Sequence, residues 1–284
     1  MPPSPQLPTA RRRRLGTELR RLRQRTDLSA TEAAARVGVT QSRISNIEAG
    51  RYGVSADRVR TLARHYDCSD RALVDALASM TGERKHGWWE EYREMLPSAL
   101  LDLAELEHHA TGIRAAQVIN IPGLLQTTDH ARALFREAVP ALLAHEIEHR
   151  VSHRIKRQAV LHRGGPPGYT AIIHEAALMM RFGGRKTSLE QLRHLLAMSE
   201  RENVTVAVIP FARSSFPTSA QGVDYFCGPV AQLDTVQIDT SHGGELVDSG
   251  AQVERYRLVL DRMEEVALPP DRSRDLVHRI LQDI

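Results

Sequence analysis

With 284 residues, 42% of them hydrophobic and 26% charged, the chain has the composition of an ordinary globular protein and room for two domains. It lacks the roughly 18-residue apolar run of a membrane span and the apolar core of a secretory signal, so a cytoplasmic protein is expected. The net charge of +3 conceals a division, because residues 1–85 carry 17 Lys and Arg against 9 Asp and Glu while the remainder carries 21 against 26; a basic first third on an acidic body implies that one module faces a polyanion.

Residues 1–14 open with a proline-rich stretch, PPSPQLPT, and continue into Arg11 to Arg14. They read as a disordered basic arm that reaches a groove or backbone, or as the solvated first turn of a helix. Leu15, Leu19 and Leu22 then mark one stripe of a helix with an arginine-rich opposite face. SATE (29–32) is a capping box, Ala33, Ala34 and Val37 give the next helix a small apolar face, and Gly38 ends it. Thr40 caps QSRISNIEAG, with Ile44 and Ile47 pointing inward, and Ser55 opens a further helix carrying Val59, Leu62 and Ala63. Two short helices joined by a glycine-centred turn, the second with a polar outer face, form the helix-turn-helix pattern.

The stretch LRRLRQRTDLSATEAAARVGVTQSRISNIEAGR (19–51) resembles the phage-repressor and Cro (XRE-like) type of helix-turn-helix domain, over residues 15–80. Its most specific marks are Ala34, Gly38, and the ending Ile44, Ile47, Glu48, Gly50, Arg51; Ala30 stands where that family often has glutamine. The resemblance implies that the second helix enters the major groove, with Gln41, Ser42 and Asn46 at the base edges and Arg43 on a guanine or a phosphate. Arg12 and Arg13 of the arm and Arg20, Arg36 and Arg51 are further expected DNA contacts, the last three from an arginine surplus that also includes Arg21, Arg23, Arg25, Arg43, Arg58 and Arg60. Double-stranded DNA is therefore the expected partner.

The polar, glycine-bracketed segment 81–87 reads as a linker, and residues 88–284 as a second domain of α+β class. WWEEYREML and SALLDLAELEHHA are expected to be two amphipathic helical stretches separated by Pro97. Residues 110–121 look extended, and INIPGLLQ breaks at Pro122–Gly123 in an apolar elbow before helices over 128–137 and 141–162. YTAIIHEAALMM begins as a strand and turns helical near Glu175; a helix over 187–201 and a strand over 204–211 follow. Extended segments at 222–228, 231–239 and 244–248 and helices at 250–265 and 270–282 close the chain.

Catalytic templates are not met. His174–Glu175 has Leu178 where a metallopeptidase needs a second histidine, and no G-x-S-x-G elbow or phosphate-cradling glycine loop occurs. His145, His149 and His153 share a helix face that reads as solvated and not as a metal site, and His108–His109 suits a helix C-terminus. Cys68 and Cys227 give no disulfide framework or metal quartet. No cofactor, no metal and no enzymatic activity are expected.

WWEEYREMLPSALLDLAELE, INIPGLLQTTDHAR, PPGYTAIIHEAALMMRFGG, QLRHL and VTVAVIPF, in that order, resemble the uncharacterised C-terminal domain of actinomycete regulators (DUF5753-like), with PGLLQT the most specific block. His174–Glu175 stands where that family commonly has Asp-Glu. The resemblance implies a transcription regulator of development or secondary metabolism, often encoded beside a small partner protein. The expected protein is a nucleoid-associated homodimer on a two-fold operator, whose C-terminal domain dimerises and takes input from a small molecule or a small protein; the alternative is an antitoxin-like protein that neutralises a small partner and autoregulates its operon. A ligand or partner surface is expected from Trp88, Trp89, Tyr92, Leu124, Leu125, Gln126 and Glu175, with Met95, Ile121 and the loop 212–222 beside it.

Overall fold

The computed structural model describes residues 8–81, 87–217, 222–240 and 243–284, and the chain divides into two compact units, Met1–Glu90 and Glu91–Ile284. Residues 1–7 of the expected arm, 82–86 of the expected linker and 218–221 of the expected loop lie outside the described residues.

The first unit is all helical: α1 Ala10–Gln24, α2 Ala30–Val37, α3 Gln41–Glu48, α4 Ala56–His65 and α5 Arg71–Ser79. Each helix starts where a short polar side chain can take over an orphan backbone donor. Thr9, Ser29, Thr40, Ser55 and Asp70 accept from the backbone N–H of Arg12, Glu32, Arg43, Arg58 and Leu73, three residues on in each case. At α2 the box is complete, since the Glu32 carboxylate also accepts from the Ser29 N–H at 2.8 Å. Gly38 takes the left-handed conformation (φ 67°) that turns α2 into α3. Leu19, Leu22, Ala33, Ala34, Ile44, Ile47, Val59, Leu62 and Leu77 form the buried interior. The cap at Thr9 starts α1 before the arginine run, so Arg11 to Arg14 are helical and residues 10–14 do not continue an arm.

The second unit is α+β, built on one six-stranded mixed sheet of order β3-β2-β1-β4-β5-β6. The strands are β1 Gly112–Gln117, β2 Gly168–His174, β3 Val204–Ile209, β4 Val223–Cys227, β5 Thr235–Thr240 and β6 Gly243–Val247. β1 to β3 are parallel and their crossovers carry helices: α7 Thr128–Arg136 and α8 Ala144–Arg157 between β1 and β2, and α9 Glu175–Met179 and α10 Gly184–Met198 between β2 and β3. β4 to β6 add antiparallel, close in sequence, with β4 beside β1. One face packs Ile113, Ala115, Ala171, Ile173, Val206 and Val208 against Leu192 and Leu195 of α10 and against Leu276, Val277 and Ile280 of α12 (Pro270–Asp283). The other packs Ile172, Ile209, Tyr225, Val236 and Ile238 against Leu260, Met263 and Val266 of α11 (Gly250–Val266). Both faces are covered, as a sheet with parallel strands requires.

Pro97 does break the first segment, but WWEEY (Trp88–Tyr92) is a 3₁₀ turn and only α6, Ser98–His109, is an α-helix. The elbow forms a short 3₁₀ turn, Gly123–Leu125, between β1 and α7. It is pinned by amide side chains that bond its backbone. Gln191 Nε2 donates to the Leu125 carbonyl (2.7 Å), Gln191 Oε1 accepts from Thr127 N–H (2.7 Å), and Gln158 Nε2 donates to the Gln126 carbonyl (2.7 Å). No helix among the described residues is long and apolar enough to cross a membrane.

Candidate nucleic-acid interface

α3 is held from behind, which leaves its front face for other uses. Ile44 and Ile47 point into the core of the first unit, and α1 passes so close that a Cβ on Gly16 would lie 2.6 Å from the Ile47 carbonyl oxygen. Gly50, at φ 70° in the turn after α3, lies close against the backbone of Arg12, whose carbonyl is 3.0 Å from where a Cβ on Gly50 would be. Across the same contact Arg23 of α1 grips Glu48 with both arms, Nε to Oε1 at 2.6 Å and Nη2 to Oε2 at 2.8 Å, while Nη1 donates to the Leu28 carbonyl at 2.6 Å. The bidentate bond to Glu48 holds the Arg23 guanidinium above its ordinary pKa against the opposing cost of burial. Burial, with the Glu48 charge adding to it, pushes the nearby Tyr66 hydroxyl up to about 12.

On the opposite face Gln41, Ser42 and Arg43 are exposed and Asn46 is half-exposed. Gln41 Nε2 donates to Ser45 Oγ (2.8 Å), and the hydroxyls of Ser42 and Thr40 are 3.1 Å apart. Arg12, Arg13, Arg20, Arg36 and Arg51 are exposed as well. Arg13 donates to the Pro8 carbonyl and Arg36 to the His65 carbonyl. The arginine surplus does not all face outward. Arg23 is buried in its clamp, Arg21 binds Glu18, and Arg58 donates to the Val37 carbonyl, so these three serve the fold. The sequence pattern does not single out Tyr52, an aromatic 55% exposed beside Arg51; the N–H groups of both residues donate to the Asn46 carbonyl at the end of α3.

The expected ligand-surface residues scatter. Trp88 and Trp89 meet edge to face at 5.9 Å between ring centroids, in the first unit. Tyr92 is buried in the second, with its hydroxyl 2.8 Å from Ser152 Oγ and its ring against His153. Leu124 and Leu125 belong to the hydrophobic core. Glu175 accepts from the Phe211 N–H at 2.7 Å, and His174 caps α9 through Nδ1 at 3.2 Å from Ala176 N, so this pair organises a turn. Gln126 is buried yet borders a cavity. His153 departs from the expected solvated histidine face: it is buried beside Tyr92, and burial together with Arg157 pushes its imidazole down to about 3. No cluster of His, Cys, Asp or Glu that could hold a metal ion occurs among the described residues.

A family model described as a helix-turn-helix domain matches residues 14–77, the unit that presents α3. A second, described as a domain of unknown function (DUF5753), matches residues 100–279, more than half of the chain. The chain belongs to the DUF5753 family. Its DUF5753 domain contains the whole mixed sheet and follows a helix-turn-helix domain that marks a DNA-binding regulator. No curated protein and no solved structure matches the chain.

Proposed function

We propose that this DUF5753 protein is a sequence-specific, non-enzymatic transcription regulator that acts as a homodimer on a two-fold operator, with the DUF5753 domain supplying dimerisation and regulatory input. The observation that carries the reading is α3, whose polar N-terminal face is exposed while its back is fixed by Gly16, Ile44, Ile47 and the Arg23–Glu48 clamp. A rigid helix with Gln41, Arg43 and Asn46 outward has donors and acceptors that match adenine and guanine edges. Arg12, Arg13, Arg20, Arg36 and Arg51 supply charge for the phosphates on either side, and Ser42 a neutral hydroxyl. One such helix reads only a few base pairs, so a dimer with half-sites about 34–36 Å apart is the economical route to specificity.

The test is selection of bound duplexes from a random pool by the full chain, followed by fluorescence anisotropy on the enriched site. A two-fold consensus is expected. Gln41→Ala with Arg43→Ala should weaken the specific complex by roughly 10- to 100-fold, as for loss of a bidentate base contact, and Arg20→Ala should reduce the salt dependence by about one phosphate contact. Absence of any enriched sequence, or unchanged affinity in the Gln41/Arg43 variant, would refute the reading.

A further inference from the structure

On one face of the sheet the character changes half-way across. β1 to β3 present apolar side chains to α10 and α12, but Gln117, two residues after Ala115, extends that face with an amide. Asp224 stands opposite Ala115 and shares its face with Phe226; Gln237 stands opposite Asp224, and Asp239 follows on the same side. Gln117, Asp224 and Gln237 thus point into the layer where β1 to β3 bury hydrocarbon, with the exposed Asp239 at its edge. They border a half-open cavity of about 240 Å³, lined on its other side by Arg154 and Arg157 of α8, Phe135 of α7, and Asn120, Gly123 and Gln126 of the elbow. At ~30 Å³ per water this is room for about eight waters, or one molecule the size of a free amino acid.

Only one of the charges around it makes a direct ion pair among the described residues. Arg157 is satisfied by Glu107, Nε to Oε2 at 2.8 Å and Nη2 to Oε1 at 2.5 Å, both side chains buried. Arg154 has no carboxylate partner among the described residues. Its Nη1 donates to Gln126 Oε1 at 2.6 Å, its guanidinium carbon lies 4.4 Å from the Phe135 ring centroid, and its Nε is buried with no acceptor. Burial, and after it the Arg157 charge, pushes this guanidinium down to about 10, against the opposing pull of the Asp239, Glu107 and Asp224 carboxyls, none of which reaches it as a direct ion pair. Asp224 has no hydrogen-bond donor or ion-pair partner among the described residues, and Asp239 has only Gln117 Nε2 at 3.5 Å. Burial, and after it the Asp239 charge, raises the Asp224 carboxyl well above the ordinary range. A half-buried guanidinium with one buried N–H short of an acceptor, facing a half-buried Asp224 carboxyl with no donor, is costly on both walls of the cavity, and the exposed Asp239 adds a second carboxylate at its rim. A single molecule carrying both complementary charges relieves them together.

We propose that this cavity is a binding site for a small zwitterion of the free amino acid class, its ammonium received by Asp224 and Asp239 and its carboxylate by Arg154. Gln117, Gln237 and Asn120 also line the cavity and supply neutral donors and acceptors. The site gives the regulatory input of the proposed function a chemical identity and rests on that reading only for its consequence on DNA; binding itself is read without DNA.

The experiment is thermal unfolding and calorimetric titration of the full chain with each free amino acid at millimolar concentration, with methylamine and propionate as single-charge controls. At least one amino acid is expected to raise the unfolding midpoint and bind at one site per chain, while both controls do not. Asp224→Asn should reduce its affinity about tenfold or more, as should Asp239→Asn. Without ligand, Asp224→Asn should unfold no earlier than the wild type, because it replaces a half-buried carboxyl that no donor satisfies with a neutral group of the same shape. Gly123→Ala places a methyl 3.7 Å from Arg157 Nη2 and 3.8 Å from Arg154 Nε, ordinary contact distances, and should leave the unliganded midpoint unchanged while weakening binding. The proposal is overturned if no amino acid binds, if methylamine or propionate binds as well, if Asp224→Asn binds normally, or if Asp224→Asn lowers the unliganded midpoint. An amino acid that binds as described but leaves operator affinity unchanged upholds the site and instead refutes its regulatory use.

Discussion

Removing Glu48 should damage the first unit far more than its place at the end of a surface helix suggests. The Arg23 and Glu48 side chains are only 10% and 8% exposed, and Glu48→Ala leaves the Arg23 guanidinium buried with a single remaining acceptor, the Leu28 carbonyl. Deleting one partner of a buried ion pair costs about 3–5 kcal/mol. The surviving bond to Leu28 places the expected loss near 3 kcal/mol, which for a unit of this size is a fall of at least roughly 10 °C in its unfolding midpoint. Replacing both partners by apolar residues, Arg23→Met with Glu48→Leu, removes the stranded charge and should recover a large part of the loss. Urea unfolding of the full chain, with hydrogen exchange at the amides of α1 to α3 to localise the change, measures both. A loss of less than about 1 kcal/mol in Glu48→Ala, or a double variant as unstable as the sum of the two single ones, would refute a buried, mutually dependent pair.

Two further outcomes follow from the geometry. Gly16→Ala puts a methyl against the backbone of Ile47 and Glu48 and should cost about 1–3 kcal/mol or more, whereas Gly53→Ala, whose methyl would lie 3.7 Å from the end of the Arg12 side chain, should be neutral; equal midpoints for the two variants would contradict the close approach of α1 and α3. In the DUF5753 domain, burial and the nearby Arg154 push His130 down to about 4 from 6.5, and neither ring nitrogen has a partner among the described residues. The unfolded chain therefore binds a proton between pH 6.5 and about 4 that the folded chain refuses, so this histidine removes stability as the pH falls through that window, by up to about 1.4 kcal/mol per pH unit. His130→Leu should flatten the midpoint-versus-pH curve there, and an unchanged curve would mean that the histidine titrates normally.

What could be read from the residues in order was whatever is decided within a few positions. The caps at Ser29, Thr40 and Ser55 and the left-handed Gly38 locate three helices because each depends on partners three or four residues away. The α+β character of the second unit followed from strand-like and helix-like periods that do not strictly alternate. Long-range pairing was not legible. Arg23 counts as one more basic residue until Glu48, 25 positions on, is seen to enclose it. His153 fits a solvated helix face until Tyr92 covers it. The cavity was the least legible feature, for its walls come from positions as distant as Gln117, Arg154, Asp224 and Asp239, and only the sheet register makes them neighbours. The elbow was visible as a break, and Gln126 stood out in it, but Leu124 and Leu125 are core.

The bond between Arg154 and Gln126 places the elbow in competition with anything that enters the cavity. Gln126, 2% exposed, spends its Nε2 on the Ile121 carbonyl (2.6 Å) and its Oε1 on Arg154 Nη1. The other ties on the turn are neutral amide bonds from Gln158 and Gln191, so Arg154 is the only charged fastening described on that corner. A guest that draws Nη1 away strands a buried acceptor, at a cost of about 1–3 kcal/mol, unless Gln126 reorients and loosens Ile121 with it. Occupancy of the cavity and the set of the β1–α7 corner are thereby two sides of one equilibrium, and hydrogen exchange at Leu125 and Gln126 would report the first through the second.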